Sequence, residues 1–380
     1  MKNRINRRDF LRCSGTLMAG SALLGFGLPN KESKDLAKTP VTGRVIDAHL
    51  HVRPETIRRC IERMDDNYIS YGINIGITGD EAFYRFLEAQ KPYQNRLGTM
   101  YAFDWSLIQS DKDFFEKAPD MLERAVENGA IGLKNFKELG LKVKDRDGSL
   151  LRIDDPRLFP IWERAERLNT IVAFHTSDPK AFFEPWNPQN ERWEELELHP
   201  EWSFADRSKY PSRKELFEQR NNVIRQFPNL TFHGCHVANN SEDISVVSQW
   251  LDEFPNLYID ISARLGELGR HPAKEGHKFF TRHQNRIMFG TDRMFYPGGD
   301  VQGAGPQKMF TKAEDNWFYE THWRYLQTND KQFNHPTPVQ GDWKIDGIGL
   351  SKDVLRKIYW DNAYKLYNLK QFNVSFDSTS

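Results

Sequence analysis

Two histidines near the start of the chain, His49 and His51, are spaced so that both could bind the same metal ion. They follow the apolar residues Val45 and Ile46, and this pattern predicts a β-strand. Residues i and i+2 of a strand point to the same side, so we expect both imidazoles to face the same way. Neutral imidazoles are good ligands for Zn²⁺, at about 2.0–2.1 Å per Zn–N bond. The pair therefore predicts part of a metal site that residues elsewhere in the chain must complete.

Further side chains that could bind a metal or take part in catalysis lie at or just after the ends of later apolar runs. They are Lys134, His175, His236, Arg264 and Asp292. If those runs are parallel strands of a barrel, their C-terminal ends meet at one mouth, where active sites are built. A divalent metal held there by imidazole and carboxylate ligands would lower the pKa of a bound water toward about 7.

The elements that must position these residues are eight short apolar runs, separated by helical or loop-rich stretches. Helical patterns cover Phe114–Asn128, Pro156–Asn169 and Ser241–Phe254, the last with Ser241 as the predicted N-cap. This alternation predicts an α/β fold, a (β/α)8 TIM barrel, with an open doubly wound sheet as the alternative. The eight predicted strands are Val45–His51, Asn74–Thr78, Leu97–Phe103, Ile131–Asn135, Ile171–His175, Leu230–His236, Leu257–Ser262 and Ile287–Asp292.

Two connections are too long for simple turns and are rich in aromatic residues. Thr176–Asn229 follows the fifth predicted strand and Arg293–Gly347 follows the eighth. Long loops in a compact domain are usually lids or binding walls, so we expect both insertions to cover the C-terminal face of the barrel. The alternative is a decorative insertion or a dimer surface.

The first residues of the chain predict export rather than a part of the fold. Asn6–Arg12, which reads NRRDFLR, resembles the twin-arginine export motif, and a weakly apolar stretch follows it. The resemblance implies transport by the twin-arginine translocase and a periplasmic or otherwise exported location. The predicted divisions are a signal peptide over 1–30, a linker over 31–42, the barrel over 43–370 and a tail over 371–380.

Composition excludes several classes of protein. The 380 residues carry 53 Lys and Arg against 53 Asp and Glu, and the positive excess lies within residues 1–40. No basic patch indicates a nucleic-acid partner, and three cysteines are too few for a disulfide scaffold. We predict a small-molecule substrate, no stable membrane insertion after signal cleavage, and the possibility of a homodimer.

Taken together, the motifs resemble the amidohydrolase superfamily, and specifically the group that includes aminocarboxymuconate-semialdehyde decarboxylase. That group has an HxH after the first strand, a histidine after the fifth and sixth strands, and an aspartate after the eighth. The resemblance implies that His49, His51, His175 and Asp292 bind one divalent metal, Zn²⁺ in preference to Mn²⁺. It also implies that Asp292 and His236 act in catalysis, on a proton and on a substrate oxygen.

Three residues keep more than one interpretation. The family spacing from Pro228 selects His236 in the sixth strand, which leaves His233 as a structural residue. In binuclear members a lysine after the fourth strand carries CO₂ and bridges two metals. Lys134 is therefore a substrate contact, a carbamate bridge to a second metal or part of a structural salt bridge. Arg264 is a second anion contact or a surface residue.

The function predicted from these residues is a metal-dependent hydrolase. Activated water would attack an ester, lactone or amide of a small substrate, aromatic or sugar-derived. One alternative is a nonoxidative, metal-dependent decarboxylase of the same group. The other is a catalytically silent ligand-binding barrel that uses the aromatic insertions.

Overall fold

The computed structural model describes residues 37–374, so the predicted signal peptide and its twin-arginine motif lie outside the described residues. Within this range the strands follow the sequence prediction closely, although most are shorter. The strands are β1 (Val45–Val52), β2 (Ile69–Thr78), β3 (Leu97–Ala102), β4 (Gly132–Asn135), β5 (Ile171–Phe174), β6 (Phe232–Gly234), β7 (Leu257–Asp260), β8 (Ile287–Met288), β9 (Arg293–Tyr296), β10 (Gly299–Val301), β11 (Phe333–Asn334) and β12 (Lys344–Ile345).

One curled sheet holds ten of these strands in the order β10-β9-β1-β2-β3-β4-β5-β6-β7-β8. All of its pairs are parallel except β9 with β10. Backbone hydrogen bonds then join the segment after β8 to β1: Ala48 N donates to Phe289 O at 2.9 Å, and Asp292 N donates to His49 O at 2.8 Å. The predicted (β/α)8 barrel is confirmed, because these bonds close the curled sheet between the segment after β8 and β1.

Eight helices of eight or more residues alternate with the strands in the described range. They are α1 (Ile57–Asp66), α2 (Asp80–Gln90), α3 (Phe114–Glu127), α4 (Phe159–Arg167), α5 (Arg213–Gln226), α6 (Ile244–Glu253), α7 (Ala273–Arg282) and α8 (Lys312–Gln327). Shorter helical segments are Pro54–Thr56, Lys91–Tyr93, Leu107–Ser110, Glu138–Leu141, Pro156–Leu158, Lys180–Phe183, Trp193–Leu198, Pro200–Trp202, Cys235–Ala238, Leu265–Leu268, Pro338–Gln340, Lys352–Arg356, Lys357–Asp361, Asn362–Leu366 and Leu369–Phe372.

Two details differ from the sequence prediction. β2 begins at Ile69 rather than at Asn74, because its first residues alternate apolar and polar positions and form no continuous apolar run. The predicted N-cap Ser241 is wrong: α6 begins after Asp243, whose Oδ1 accepts hydrogen bonds from Ser245 N at 3.1 Å and Val246 N at 3.2 Å. A carboxylate reaches two of the unpaired N–H groups at the helix start.

Alternation along the strands divides the core into two layers. In β5, Val172 and Phe174 belong to the larger cluster that includes the helices, whereas Ile171 and Ala173 belong to the smaller cluster. This is the period of two expected when both faces of a strand are buried. Among residues 37–374, no helix combines the length and apolar character that crossing a bilayer requires.

Candidate metal centre

A cavity of about 320 Å³ opens at the C-terminal ends of the barrel strands. Five of the seven predicted site residues line it, each from the end of a different strand: His51, His175, His236, Arg264 and Asp292. His49 is fully buried beneath it. The placement follows the rule for such barrels, since the strand ends converge on one mouth.

The predicted ligand atoms converge around the Asp292 carboxylate. His49 Nε2 lies 3.3 Å from Asp292 Oδ1, and His51 Nε2 lies 3.1 Å from the same oxygen. His49, His236 and Asp292 each offer a ligand atom within 4.8 Å of the other two. The His175 ring adjoins the His236 ring, with centroids 4.5 Å apart. All five histidine and aspartate positions predicted for the site are therefore neighbours.

Three of these polar atoms are buried without a hydrogen-bond partner: His49 Nε2, His175 Nε2 and Asp292 Oδ1. Buried polar groups in folded proteins are almost always paired, so three buried atoms without a hydrogen bond in one cluster of side chains require an explanation. Two imidazole nitrogens and a carboxylate oxygen form a donor set that suits a divalent metal such as Zn²⁺ or Mn²⁺. The residues present therefore fit the metal that the sequence predicts. Which of them are ligands stays a prediction.

Asp260, at the end of β7, is the residue that organises this cluster and that the sequence analysis missed. Its Oδ2 bonds His49 Nδ1 at 2.7 Å and His233 Nε2 at 2.8 Å. Its Oδ1 accepts from His236 N at 2.8 Å and from Ser262 N and Oγ at 3.0 and 2.6 Å. Its position at the end of an apolar run, like that of Asp292, is the signal that could have identified it.

Asp260 also fixes which nitrogen of His49 is free. With Nδ1–H donating to the Asp260 carboxylate, Nε2 is the nitrogen that faces Asp292 and is placed to bind a metal. Burial opposes a charge on His49, but the Asp260 carboxylate outweighs burial and raises the pKa of this imidazole. A more basic imidazole is a stronger metal ligand. His233, which also bonds Tyr367 Oη at 2.6 Å, supports Asp260 from below, in keeping with the structural role predicted for it.

The other titratable groups of the centre are held in the forms that bind metals. Burial lowers the pKa of His175 to about 4 and lowers those of His51 and His236, so these imidazoles are neutral near pH 7. Burial alone would raise the pKa of Asp292, but the adjacent imidazoles of His49 and His51 hold it well below its usual range. His51, His175 and His236 therefore present neutral nitrogens and Asp292 an ionised carboxylate, whereas Asp260 favours a proton on His49.

A buried hydrogen-bond bridge locks β1 against the segment after β8. Asp47 Oδ2 accepts from Thr291 Oγ1 at 2.6 Å, and its Oδ1 accepts from Thr291 N and His49 N, both at 3.1 Å. Gly290 permits the close approach, because a Cβ there would lie 3.1 Å from His49 Cβ. Asp292 follows with a φ of +62°. This bridge sets the distance between His49 and Asp292.

Lys134 is buried inside the barrel and is not among the residues that line the cavity. Its Nζ lies 2.9 Å from Cys235 Sγ and 5.3 Å from the centre of the Phe136 ring. The roles predicted for it, as a substrate contact or a carbamate bridge, stay predictions. The lysine that does line the cavity is Lys137, which the sequence analysis missed. It is three residues further along, beyond the end of β4.

Cations and aromatic rings make up much of the remaining wall. Lys137 Nζ bonds Asp178 Oδ2 at 2.6 Å and lies 4.1 Å above the ring of Trp202. Asp178 Oδ1 lies 3.4 Å from His175 Nε2. Asp178 and Trp202 come from the predicted insertion after β5, which folds into short helices before α5. Further aromatic rings in the wall are Phe136, Phe182 and Tyr296.

Arg264 is buried and lines the cavity, as predicted for an anion contact. Only 6% of its surface is exposed, and its Nη1 donates to Ala263 O at 3.0 Å. Within residues 37–374 no carboxylate lies within salt-bridge distance of it, although Asp178, Glu242 and Glu195 attract its charge from further away. A buried guanidinium without such a partner is ready to receive an anion.

Solved structures with the same fold include three proteins of low sequence identity. An uncharacterised TIM-barrel protein from Bordetella bronchiseptica is 15% identical, with a TM-score of 0.52 over 86% of this chain and 99% of that one. A dihydroxybenzoic acid decarboxylase from Polaromonas sp. JS666, with bound manganese and the inhibitor 2-nitroresorcinol, is 16% identical, with a TM-score of 0.51 over 86% and 97%.

A 5-carboxyvanillate decarboxylase from Novosphingobium aromaticivorans, complexed with manganese and a nitrobenzoic acid, is 12% identical, with a TM-score of 0.50 over 87% and 98%. No curated protein sequence matches the chain significantly. The family profile described as Amidohydrolase matches residues 46–369, which is most of the chain and all of the barrel. The chain therefore belongs to the amidohydrolase family of enzymes.

Proposed function

We propose that this protein is a metal-dependent decarboxylase that removes CO₂ from an aromatic carboxylate without oxidation. The observation that carries the proposal is Arg264, a buried cation that faces the cavity and lacks a carboxylate partner among the described residues. Because an unpaired buried charge is unfavourable, a substrate carboxylate beside this guanidinium would stabilise both groups. An anionic substrate is thus favoured over a neutral ester or amide.

The aromatic wall supports a planar substrate. Phe136, Phe182, Trp202 and Tyr296 surround a cavity of about 320 Å³, which suits a single substituted ring. Two of the structurally similar proteins are decarboxylases of a dihydroxybenzoic acid and of 5-carboxyvanillate. These names support decarboxylation over the hydrolysis that the sequence favoured, and they support Mn²⁺ at least as strongly as Zn²⁺.

In this scheme the carbon–carbon bond to the carboxylate breaks, and its electron pair stays on the ring carbon, which then takes a proton. A divalent metal bound by His49, His51, His175 and Asp292 would supply a Lewis acid for an oxygen of the substrate. Arg264 orients the departing carboxylate. His236 takes a proton from water at its Nε2 and passes it to this ring carbon, because its Nδ1–H is engaged with Ser262 O at 3.0 Å.

Hydrolysis is the second candidate, and one observation favours it. Asp292 Oδ1 is buried, ionised and without a hydrogen-bond partner among the described residues, so it could accept a proton from an activated water. Either reaction is compatible with the export that we propose from the N-terminal motif. A catalytically silent ligand-binding barrel is the least favoured reading, since the ligand set is complete.

The decisive experiment follows carbon and oxygen separately. The Mn²⁺-loaded protein is incubated with 2,6-dihydroxybenzoate or 5-carboxyvanillate labelled with ¹³C at the carboxyl group, in D₂O. We expect ¹³CO₂ by mass spectrometry and one deuterium on the ring carbon of the product. Release of ¹⁸O-labelled acid from aryl esters or lactones in H₂¹⁸O, with no ¹³CO₂, would contradict decarboxylation and support hydrolysis.

Arg264 provides the matched variants for the same assay. Arg264→Ala should raise KM for the carboxylate by about tenfold or more, since a charge-assisted hydrogen bond contributes roughly 1.5–3 kcal/mol. Arg264→Lys keeps the charge and should recover part of the loss. Equal KM values for the unaltered protein and both variants would contradict the proposed anion-binding role of Arg264.

A further inference from the structure

His236 lies in a segment of unusual backbone conformation directly after β6. His236, Val237, Ala238 and Asn239 have φ values of +57°, +59°, +51° and +58°. Their geometry is a turn of left-handed helix, which costs roughly 1–2 kcal/mol per residue for side chains other than glycine. Val237 is the most unfavourable of the four, because a β-branched residue rarely adopts a positive φ. The surrounding structure must therefore hold this turn in place.

Three hydrogen bonds from two elements, β7 and α5, hold the turn. Asp260 Oδ1 accepts from His236 N at 2.8 Å, at the start of the turn. Arg220 Nη1 donates to Ala238 O at 2.7 Å, and Arg213 Nη2 donates to Asn239 O at 2.8 Å. Both arginines belong to α5, so one face of this helix donates hydrogen bonds to the Ala238 and Asn239 carbonyls at the end of the turn.

Arg220 is an unusual residue for this purpose. It is fully buried, and within the described residues its hydrogen-bond acceptors are the Ala238 carbonyl and the amide oxygen of Asn221 rather than a carboxylate. Its guanidinium lies 4.4 Å above the Trp250 ring and 5.2 Å above the Phe217 ring. Stacking between two aromatic rings fixes its direction toward the turn.

Asn239 connects this turn to the neighbouring strand. Its side-chain Oδ1 accepts a hydrogen bond from Thr176 N at 2.9 Å, and Thr176 directly follows His175. Asn239 is also one of the residue types, apart from glycine, that best tolerate a positive φ. A single buried side chain thus ties the segment that carries His236 to the segment that carries His175.

We propose that Asn239 is a positioning residue that sets the separation of His175 and His236 in the metal centre, with Arg220 holding the left-handed turn. The proposal deepens the proposed function and rests on the metal centre described above. The strained turn directs the His236 ring into the cavity, and the Asn239–Thr176 bond keeps the His175 ring beside it. Without that bond, β5 and β6 still form, but the position of His175 relative to His236 is no longer fixed.

The test measures Mn²⁺ binding to the full chain and needs no substrate. Asn239→Gly keeps the positive φ and removes the acceptor for Thr176 N, whereas Asn239→Asp keeps an acceptor oxygen. We expect Asn239→Gly to raise the Mn²⁺ dissociation constant, measured by electron paramagnetic resonance, by about 10–100-fold, as for the loss of other groups that orient metal ligands. We expect Asn239→Asp to remain within threefold of the unaltered protein.

The unfolding midpoint without metal distinguishes positioning from a merely structural role. Asn239→Gly relieves backbone strain, so it should fold, and its midpoint should lie close to that of Asn239→Asp. Unchanged Mn²⁺ affinity in Asn239→Gly would overturn the positioning role and leave the proposed function intact. Absence of Mn²⁺ binding in the unaltered protein would overturn both the metal centre and this role.

Discussion

At the scale of single residues, the centre depends as much on the groups behind the ligands as on the ligands. Burial alone would raise the pKa of Asp260, but the charge of His49 and the hydrogen bonds from His49 and His233 hold it well below its usual range. An ionised carboxylate accepts hydrogen bonds only, and the groups that contact Asp260 offer donors. The cluster therefore has one stable arrangement of protons.

Asp260→Asn should disturb that arrangement and weaken metal binding. The amide nitrogen would face ring nitrogens that now donate, so His49 would turn its lone pair away from Asp292. We expect the Mn²⁺ dissociation constant to rise about 10–100-fold. His233→Asn is the matched control, because it leaves the Asp260–His49 bond in place, and its affinity should stay within a few-fold. Equal losses in both variants would contradict the orienting role of Asp260.

At the scale of elements, several functional residues lie just beyond the last residue of a strand that pairs with its neighbour in the sheet. His236, Asp292 and Ala263 all have positive φ values, shortly after β6, β8 and β7. Such conformations persist only where the surrounding structure over-determines them, and they cluster at functional sites. Here the abrupt turns direct side chains across the mouth of the barrel, which regular strands would not do.

The start of α6 gives a prediction at this scale. Asp243→Ala removes the side chain that accepts from two N–H groups, so it should lower the free energy of unfolding by about 1 kcal/mol. Ser241→Ala removes a buried hydroxyl without a hydrogen-bond partner in the described part of the chain and should have a smaller effect. Urea denaturation of both variants measures the difference. A larger loss in Ser241→Ala would restore the cap predicted from the sequence.

At the scale of the whole molecule, stability falls in acid because buried imidazoles stay neutral in the folded state. His322 on α8 is an example distant from the ligands. Burial lowers its pKa to about 4, although a hydrogen bond to Phe318 O at 2.8 Å opposes this shift. Between pH 6.5 and 4 the unfolded chain binds a proton at this residue and the folded chain does not. Unfolding is therefore favoured as the pH falls through this range.

His322→Phe should reduce this acid sensitivity. The unaltered protein should lose on the order of 2–3 kcal/mol more unfolding free energy than the variant between pH 6.5 and pH 4. The aromatic surroundings of Phe289 and Phe318 should accept the substituted ring. Urea denaturation at a series of pH values measures the two slopes. Parallel slopes would show that His322 does not contribute.

The sequence by itself determined the barrel and the residues at its mouth. Alternating apolar runs and helical patterns are local properties, and the ends of parallel strands in a barrel must meet. The pattern alone therefore brings together five side chains that are far apart in the chain: His49, His51, His175, His236 and Asp292. Strand positions carry most of this information, although for Arg264 they left a surface position open.

Only the tertiary structure decided how those residues are oriented and which neighbours support them. Asp260 stands at the end of an apolar run, but its contacts and those of Asn239 join different strands, and no local pattern predicts those contacts. The left-handed turn at His236 is unfavourable for its own sequence and exists because side chains from α5 and β7 hold it. Lys134 and Lys137 are three positions apart. Lys134 lies within β4 and is buried inside the barrel, whereas the turn after β4 brings Lys137 to the cavity. Backbone direction at the strand ends is a property of packing, and packing is decided by the whole fold.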